Sequence, residues 1–247
     1  MKLIMENWRS FLEQQESQSL PEQRKRAAAI IWNDPSYKPV EDLKKKSNIL
    51  KAILPDDVPQ GHAGIVLIKE LSKNKVRAVS YQFGIGGTQC PKANQTGLID
   101  TIKHKIGIFV PGGVRVKKRF YQTKGENFFD TENKAQNIIE ILSKSGLGTN
   151  VNSARQFGFV PDINFEASHE YATSPRCRLY TIIPQMGGSM GDNCGSFALK
   201  VAAAGLQGMQ SGQVSKDATT ISNMFVGPDE MLPILQDLGW VSFSMSF

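Results

Sequence analysis

Gly187-Gly188-Ser189-Met190-Gly191-Asp192-Asn193-Cys194-Gly195-Ser196-Phe197-Ala198-Leu199-Lys200-Val201-Ala202-Ala203-Ala204 changes character at its midpoint. Small, turn-forming residues run up to Asp192 and Asn193. An alanine-rich segment carrying Phe197, Leu199 and Val201 follows, which predicts a helix capped at its start by an Asp or Asn side chain. Cys194 then falls in the first turn. Unpaired backbone N–H groups and the positive end of the helix dipole favour a thiolate there, making the sulfur nucleophilic. Free cysteine is also among the most buried residue types, so a packed small hydrophobe is the competing reading.

A nucleophilic cysteine needs a base, and the chain holds three histidines. His62 stands at the mouth of the apolar run Gly61-His62-Ala63-Gly64-Ile65-Val66-Leu67-Ile68, which reads as a buried strand. A cysteine opening a helix and a histidine opening a strand is the geometry of a thiol hydrolase. A histidine at a strand end is also commonly structural. Gln82, on the next strand, is the candidate third member, its carboxamide accepting from the imidazole N–H; an ordinary exposed strand glutamine is the alternative. His169, in a long polar stretch, is the rival base, ranked below His62 because no scaffold strand fixes it. His104 lies between Lys103 and Lys105 and reads as solvent-facing.

His62 first on a strand, then the strand Ser80-Tyr81-Gln82-Phe83-Gly84, then a helix, then Asn193-Cys194-Gly195-Ser196-Phe197, resembles the circularly permuted papain-like superfamily. Its relatives include PPPDE peptidases, lecithin:retinol acyltransferase-like proteins and permuted NlpC-type amidases, in which the histidine precedes the cysteine. The resemblance spans roughly residues 58 to 240. It departs from PPPDE members at Ser196, where they carry His. It implies an α+β fold in which an antiparallel sheet packs on the helix that carries the cysteine. The implied domains are an N-terminal helical extension (1–57) and a papain-like catalytic domain (58–247).

The chain has 247 residues, 40% of them hydrophobic, enough for one good-sized core with an appendage. Three cysteines make no disulfide framework and none of their spacings is that of a zinc knuckle, so no metal and no cofactor are expected. Cys90 reads as a bystander, and Cys177 as the structural start of a strand over 179–183. Glu6 and Arg9 interrupt any signal-peptide core, and no stretch reaches the length of a membrane span. Cytoplasmic synthesis without a signal peptide is expected. The start Met-Lys-Leu-Ile-Met-Glu-Asn-Trp-Arg loosely resembles a leader helix of phage-encoded proteins, which implies a virion-associated or delivered effector protein.

Net charge is +6, and seven Lys or Arg but no acid occur between Thr101 and Gly125, including Lys117, Lys118 and Arg119. That run reads either as a solvated strand and loop or as a face for an anionic surface. Nucleic acid is not the expected partner, because the only adjacent aromatics are Phe120 and Tyr121.

Along the chain, apolar spacing predicts a helix near residues 1–18, a second over 21–32 broken by Pro35, and a lysine-bearing segment over 40–54. Residues 61–68 and 75–83 read as an antiparallel hairpin with Ser80 and Gln82 on one face and Tyr81 on the other. A second hairpin is expected over 98–110 and 114–121, turning at Pro111-Gly112-Gly113. A helix over 131–143, a loop over 148–175 acting as lid or substrate-binding insertion, a short helix over 227–238 and a strand over 240–247 complete the expectation.

The chemistry so predicted is hydrolysis of an amide, peptide or isopeptide bond: His62 takes the thiol proton, Cys194 attacks the carbonyl, and its backbone N–H helps hold the oxyanion. Peptidoglycan stem peptides and protein tails are the candidate substrates, and acyl transfer is open to the same dyad. The alternative is a non-catalytic virion, injection-system or binding protein on the same fold.

Overall fold

In the computed structural model the described residues are 26–36, 61–72, 75–85, 110–122, 156–160, 162–175, 178–181, 191–207, 230–237 and 241–244, with helical positions at 41, 44, 45, 48 and 51, apart from 161, 176 and 177. Seven strands among them, β1 (Ala27–Asp34), β2 (His62–Ser72), β3 (Lys75–Ile85), β4 (Val110–Gln122), β5 (Gln156–Val160), β6 (Leu179–Tyr180) and β7 (Val241–Ser244), lie in the order β6-β4-β3-β2-β1-β5-β7. Every neighbouring pair is antiparallel. Three helices accompany them: α1 (Phe165–Thr173), α2 (Cys194–Gln207) and α3 (Met231–Asp237). The architecture is α+β, with α2 packed on β2, β3 and α1.

β2 and β3 form the expected hairpin. Ala27–Asp34 departs from expectation, being a strand between β2 and β5 rather than the end of a helix over 21–32. All eight of its side chains are buried, so tertiary burial on two faces overrides the helix propensity of three alanines. The sheet therefore takes in a strand from before residue 57, inside the stretch expected to be a helical extension. Residues 1–25 lie outside the described residues.

Pro111-Gly112-Gly113 is no turn. β4 runs straight through it, pairing Gly112 with Ile85 and Gly113 with Gly84. Glycine is required at 112 because an added Cβ would lie 2.2 Å from the Phe83 ring. All of the expected strand over 98–110 except Val110, and the whole expected helix over 131–143, fall outside the described residues, as do Cys90, His104 and Cys177. The stretch expected to be a loop over 148–175 contains β5 and α1. Asn164 caps α1, its Oδ1 accepting from the Ala167 N–H at 3.2 Å. β6 is two residues long, and α3 and β7 fall where a helix and a strand are expected.

Pleat alternation sorts the sheet into two faces. Ala27, Ala29 and Ile31 of β1, Ala63, Ile65 and Leu67 of β2, and Val79, Tyr81 and Phe83 of β3 share one core cluster with Cys194, Phe197, Leu199 and Val201 of α2. The opposite face carries Ala28, Ile30, Trp32, Val66, Ile68, Val76 and Ala78, also buried. There the Trp32 indole lies across β2 at its cross-strand partner Gly64, where an added Cβ would come within 2.5 Å of the ring. Gly64→Ala must displace that indole and is expected to cost about 1–3 kcal/mol. Gly84→Ala enters open space, so its effect is expected within about 0.5 kcal/mol. Urea denaturation of the two variants checks the contrast.

Candidate functional site

Two reciprocal bonds at the start of α2 fix Cys194. Asn193 Oδ1 accepts from the Ser196 N–H at 2.8 Å, and Ser196 Oγ accepts from the Asn193 N–H at 3.0 Å. This is a capping box built from Asn and Ser, and it makes Cys194 the first helical residue, as the sequence predicts. Asp192 ties the cap to its surroundings. Its carboxylate accepts from Lys200 Nζ at 2.5 Å and from Ser196 Oγ at 3.2 Å, with Arg178 at 4.0 Å. Its backbone exchanges bonds with Thr181 and Leu179 beside β6. The Arg178 guanidinium lies over the Tyr171 and Phe197 rings, and Phe197 stacks on Phe83 at 5.1 Å. The Cys194 side chain is 2% exposed and belongs to the core cluster beneath this helix.

His62 lies on the other side of the sheet. Ala63, Ile65 and Leu67 face α2, so alternation turns His62, Gly64 and Val66 away from it. The contacts of His62 agree. Its ring meets the edge of Trp32 at 5.5 Å and 72°, it is hydrogen-bonded to Gln82, and the Asp34 carboxylate and Arg115 cation act on it. Gln82 thus meets His62 as expected, but the pair does not share a face with Cys194. The expected grouping of Cys194, His62 and Gln82 is corrected in this respect: a strand residue presents one face only, and in β2 that face belongs to Ala63. Both phases of β2 are apolar, so the sequence carried no signal of which faced the helix.

His169 is the histidine on the Cys194 side. It is not in a mobile loop but on α1, where its Nδ1 meets the Tyr81 hydroxyl and its ring stacks on Phe165 at 5.9 Å. Arg77 and Lys69 lie over the Phe165 ring, 5.2 and 5.6 Å from its centroid, and Lys69 donates to Glu166 at 2.6 Å. Burial pushes the Tyr81 phenol up. The Asn164 cap followed by Phe165 was the available signal for α1.

Two buried donors on the His62 face, Trp32 Nε1 and Ser80 Oγ, have no hydrogen-bond partner among the described residues. An unsatisfied buried group of this kind costs about 1–3 kcal/mol. Among the described residues no three or more His, Cys, Asp or Glu side chains cluster as metal ligands, and no helix is long and apolar enough to cross a membrane. A scan against protein-family models matches none, and comparison with curated proteins and with solved structures returns no match.

Burial holds the pKa of both His62 and His169 below the ordinary histidine value, and nearby Arg115 and Arg77 respectively act in the same direction. The unfolded chain therefore binds more protons in the window just below about pH 6.5. Stability is full above that window and is lost as pH falls through it. Urea midpoints at about pH 7.5 and about pH 5 are expected to show this loss, and His62→Gln, which cannot titrate, to show a smaller one. An equal loss in both would remove His62 from the pH response.

Proposed function

We propose that the chain is a binding module for an acidic protein surface, on a permuted papain-like framework whose cysteine and histidine form no dyad. The chain order, a histidine-bearing strand followed by a cysteine-bearing helix packed on an antiparallel sheet, supports that framework. The observation that carries the function is on β4, where Arg115, Val116, Lys117 and Lys118 are four consecutive exposed residues. Arg115 and Lys117 pair with Gln82 and Ser80 and take the His62 face, while Val116 and Lys118 pair with Tyr81 and Val79 and take the α2 face. Cations therefore flank both sides of one strand, with no acid in the surrounding stretch from Thr101 to Gly125.

Protein is favoured over nucleic acid by the apolar groups beside these charges. Among the described residues the exposed large hydrophobics are Ile85 and Val116, both aliphatic, both on the α2 face. Single-stranded nucleic acid wants aromatic platforms for stacking. Aliphatic contacts ringed by cations suit an acidic protein patch.

A cysteine hydrolase of amide, peptide or isopeptide bonds is the second reading, favoured by Cys194 standing first in a capped helix. It requires a base other than His62. His169 shares the sheet face of Cys194 and is its candidate.

Fluorescent polyglutamate and a single-stranded oligonucleotide of equal charge test the binding reading. Polyglutamate is expected to bind saturably, with affinity falling by about an order of magnitude as NaCl rises from about 50 to about 200 mM. Lys117→Glu with Lys118→Glu is expected to abolish binding. Preference for the oligonucleotide, or polyglutamate binding untouched by the double substitution, would overturn the reading.

A further inference from the structure

The row of polar groups on the sheet face turned away from α2 takes no part in a Cys194 chemistry, and it shares only its outer cations, Arg115 and Lys117, with the acidic-surface reading. Register sets it out strand by strand. Asp34 of β1 stands opposite His62 of β2; Trp32 stands opposite Gly64, which stands next to Gln82 of β3; Gln82 stands opposite Arg115 of β4; and Ser80, two residues before Gln82, stands opposite Lys117. Gly64 bears no side chain, and the Trp32 indole occupies the space above it, with Nε1 2.9 Å from where a Cβ would sit. The indole N–H is thereby carried from β1 over β2.

We propose that this row binds a small oxyanion, a carboxylate, phosphate or sulfate group, through Trp32 Nε1, Ser80 Oγ, Arg115 and Lys117. Trp32 is 0% and Ser80 1% exposed, and both donors lack a partner among the described residues. Buried donors are satisfied in native proteins by protein, water or ligand, so two orphans on one face mark a place where an acceptor belongs. The charges decide what kind. Arg115 and Lys117 are exposed on β4 while His62 and Gln82 are half-buried, so the row grades from water at the cationic end to the interior at Trp32. An anion entering past Arg115 meets cations first and neutral donors last.

The one carboxylate of the row stands at its far end and is already engaged. Asp34 Oδ1 accepts from the Ser36 N–H at 3.1 Å and from Ser36 Oγ at 2.5 Å, which ties it to the turn after β1. The His62–Gln82 hydrogen bond lies between this carboxylate and the cations and orients the carboxamide.

The test follows the Trp32 indole N–H by two-dimensional NMR on the full chain. Trp8→Phe and Trp240→Phe assign its resonance by elimination. Inorganic phosphate, sulfate and acetate are titrated separately. A saturable shift of the Trp32 resonance is expected with at least one of them, and Arg115→Gln is expected to weaken it about tenfold, a loss typical of a removed charge-assisted contact. Lys118→Gln, on the opposite face, is expected to leave it unchanged. Saturation by acetate assigns a carboxylate ligand; saturation by phosphate or sulfate alone assigns a tetrahedral oxyanion. No saturable shift up to about 50 mM of any anion, far beyond a millimolar site, or equal weakening by Lys118→Gln, overturns the proposal. Arg115 and Lys117 are common to both proposals, but the Trp32 resonance reports on the buried end of the row alone: polyglutamate binding with no saturable Trp32 shift overturns this proposal only, and a saturable shift without polyglutamate binding overturns only the acidic-surface reading.

Discussion

β2 is held between two antiparallel ladders, one to β1 and one to β3, and each fixes its register residue by residue. Slipping by one position would exchange Ala63, Ile65 and Leu67 for His62, Gly64 and Val66 beneath α2, replacing a close-packed surface with an imidazole and a glycine gap. Burial of apolar side chains on both faces makes that slip costly from either side. The sidedness of every polar group near the head of β2 follows. His62 joins Trp32 and Gln82; Tyr81, on the other phase of β3, joins His169 on α1. Trp32 reinforces the same register, because its indole needs a glycine as cross-strand partner and Gly64 supplies it.

α2 answers the sheet from one side only. Nearly all of its residues are buried, and Lys200 leaves the apolar surroundings by reaching back to Asp192 at 2.5 Å. The cap of this helix is therefore a junction: Asn193 and Ser196 satisfy each other, while Asp192 gathers Lys200, Ser196 and Arg178. A helix start built in this way can hold a nucleophile rigidly. It can equally serve as an anchor that locks β6 to the core, and the burial of Cys194 in the apolar cluster agrees with the second role.

What the sequence reveals and what it hides divide along physical lines. The start of α2 was legible because capping is local: Asn193, Cys194 and Ser196 need no distant residue to declare themselves. The β2–β3 hairpin and the meeting of His62 with Gln82 were legible for a similar reason. β1 was misread as helix because Ala27, Ala28 and Ala29 favour helix when alone, and only neighbours on both sides make a strand of them. Pro111-Gly112-Gly113 looked like a turn because the need for glycine beneath Phe83 is a tertiary fact. The face of His62 was hidden most deeply: with apolar residues in both phases of β2, the helix-facing phase is decided by packing alone.

The separation of Cys194 from His62 by the sheet is open to one direct chemical measurement. In a chain with Cys90→Ser and Cys177→Ser, the iodoacetamide alkylation rate of Cys194 near neutral pH is compared with and without His62→Ala. A buried cysteine with His62 turned to the opposite face of the sheet reacts slowly, and losing His62 leaves the rate unchanged, or raises it where the fold loosens. Rapid alkylation that falls when His62 is removed would contradict this, since only an imidazole acting on the thiol lowers reactivity by its loss.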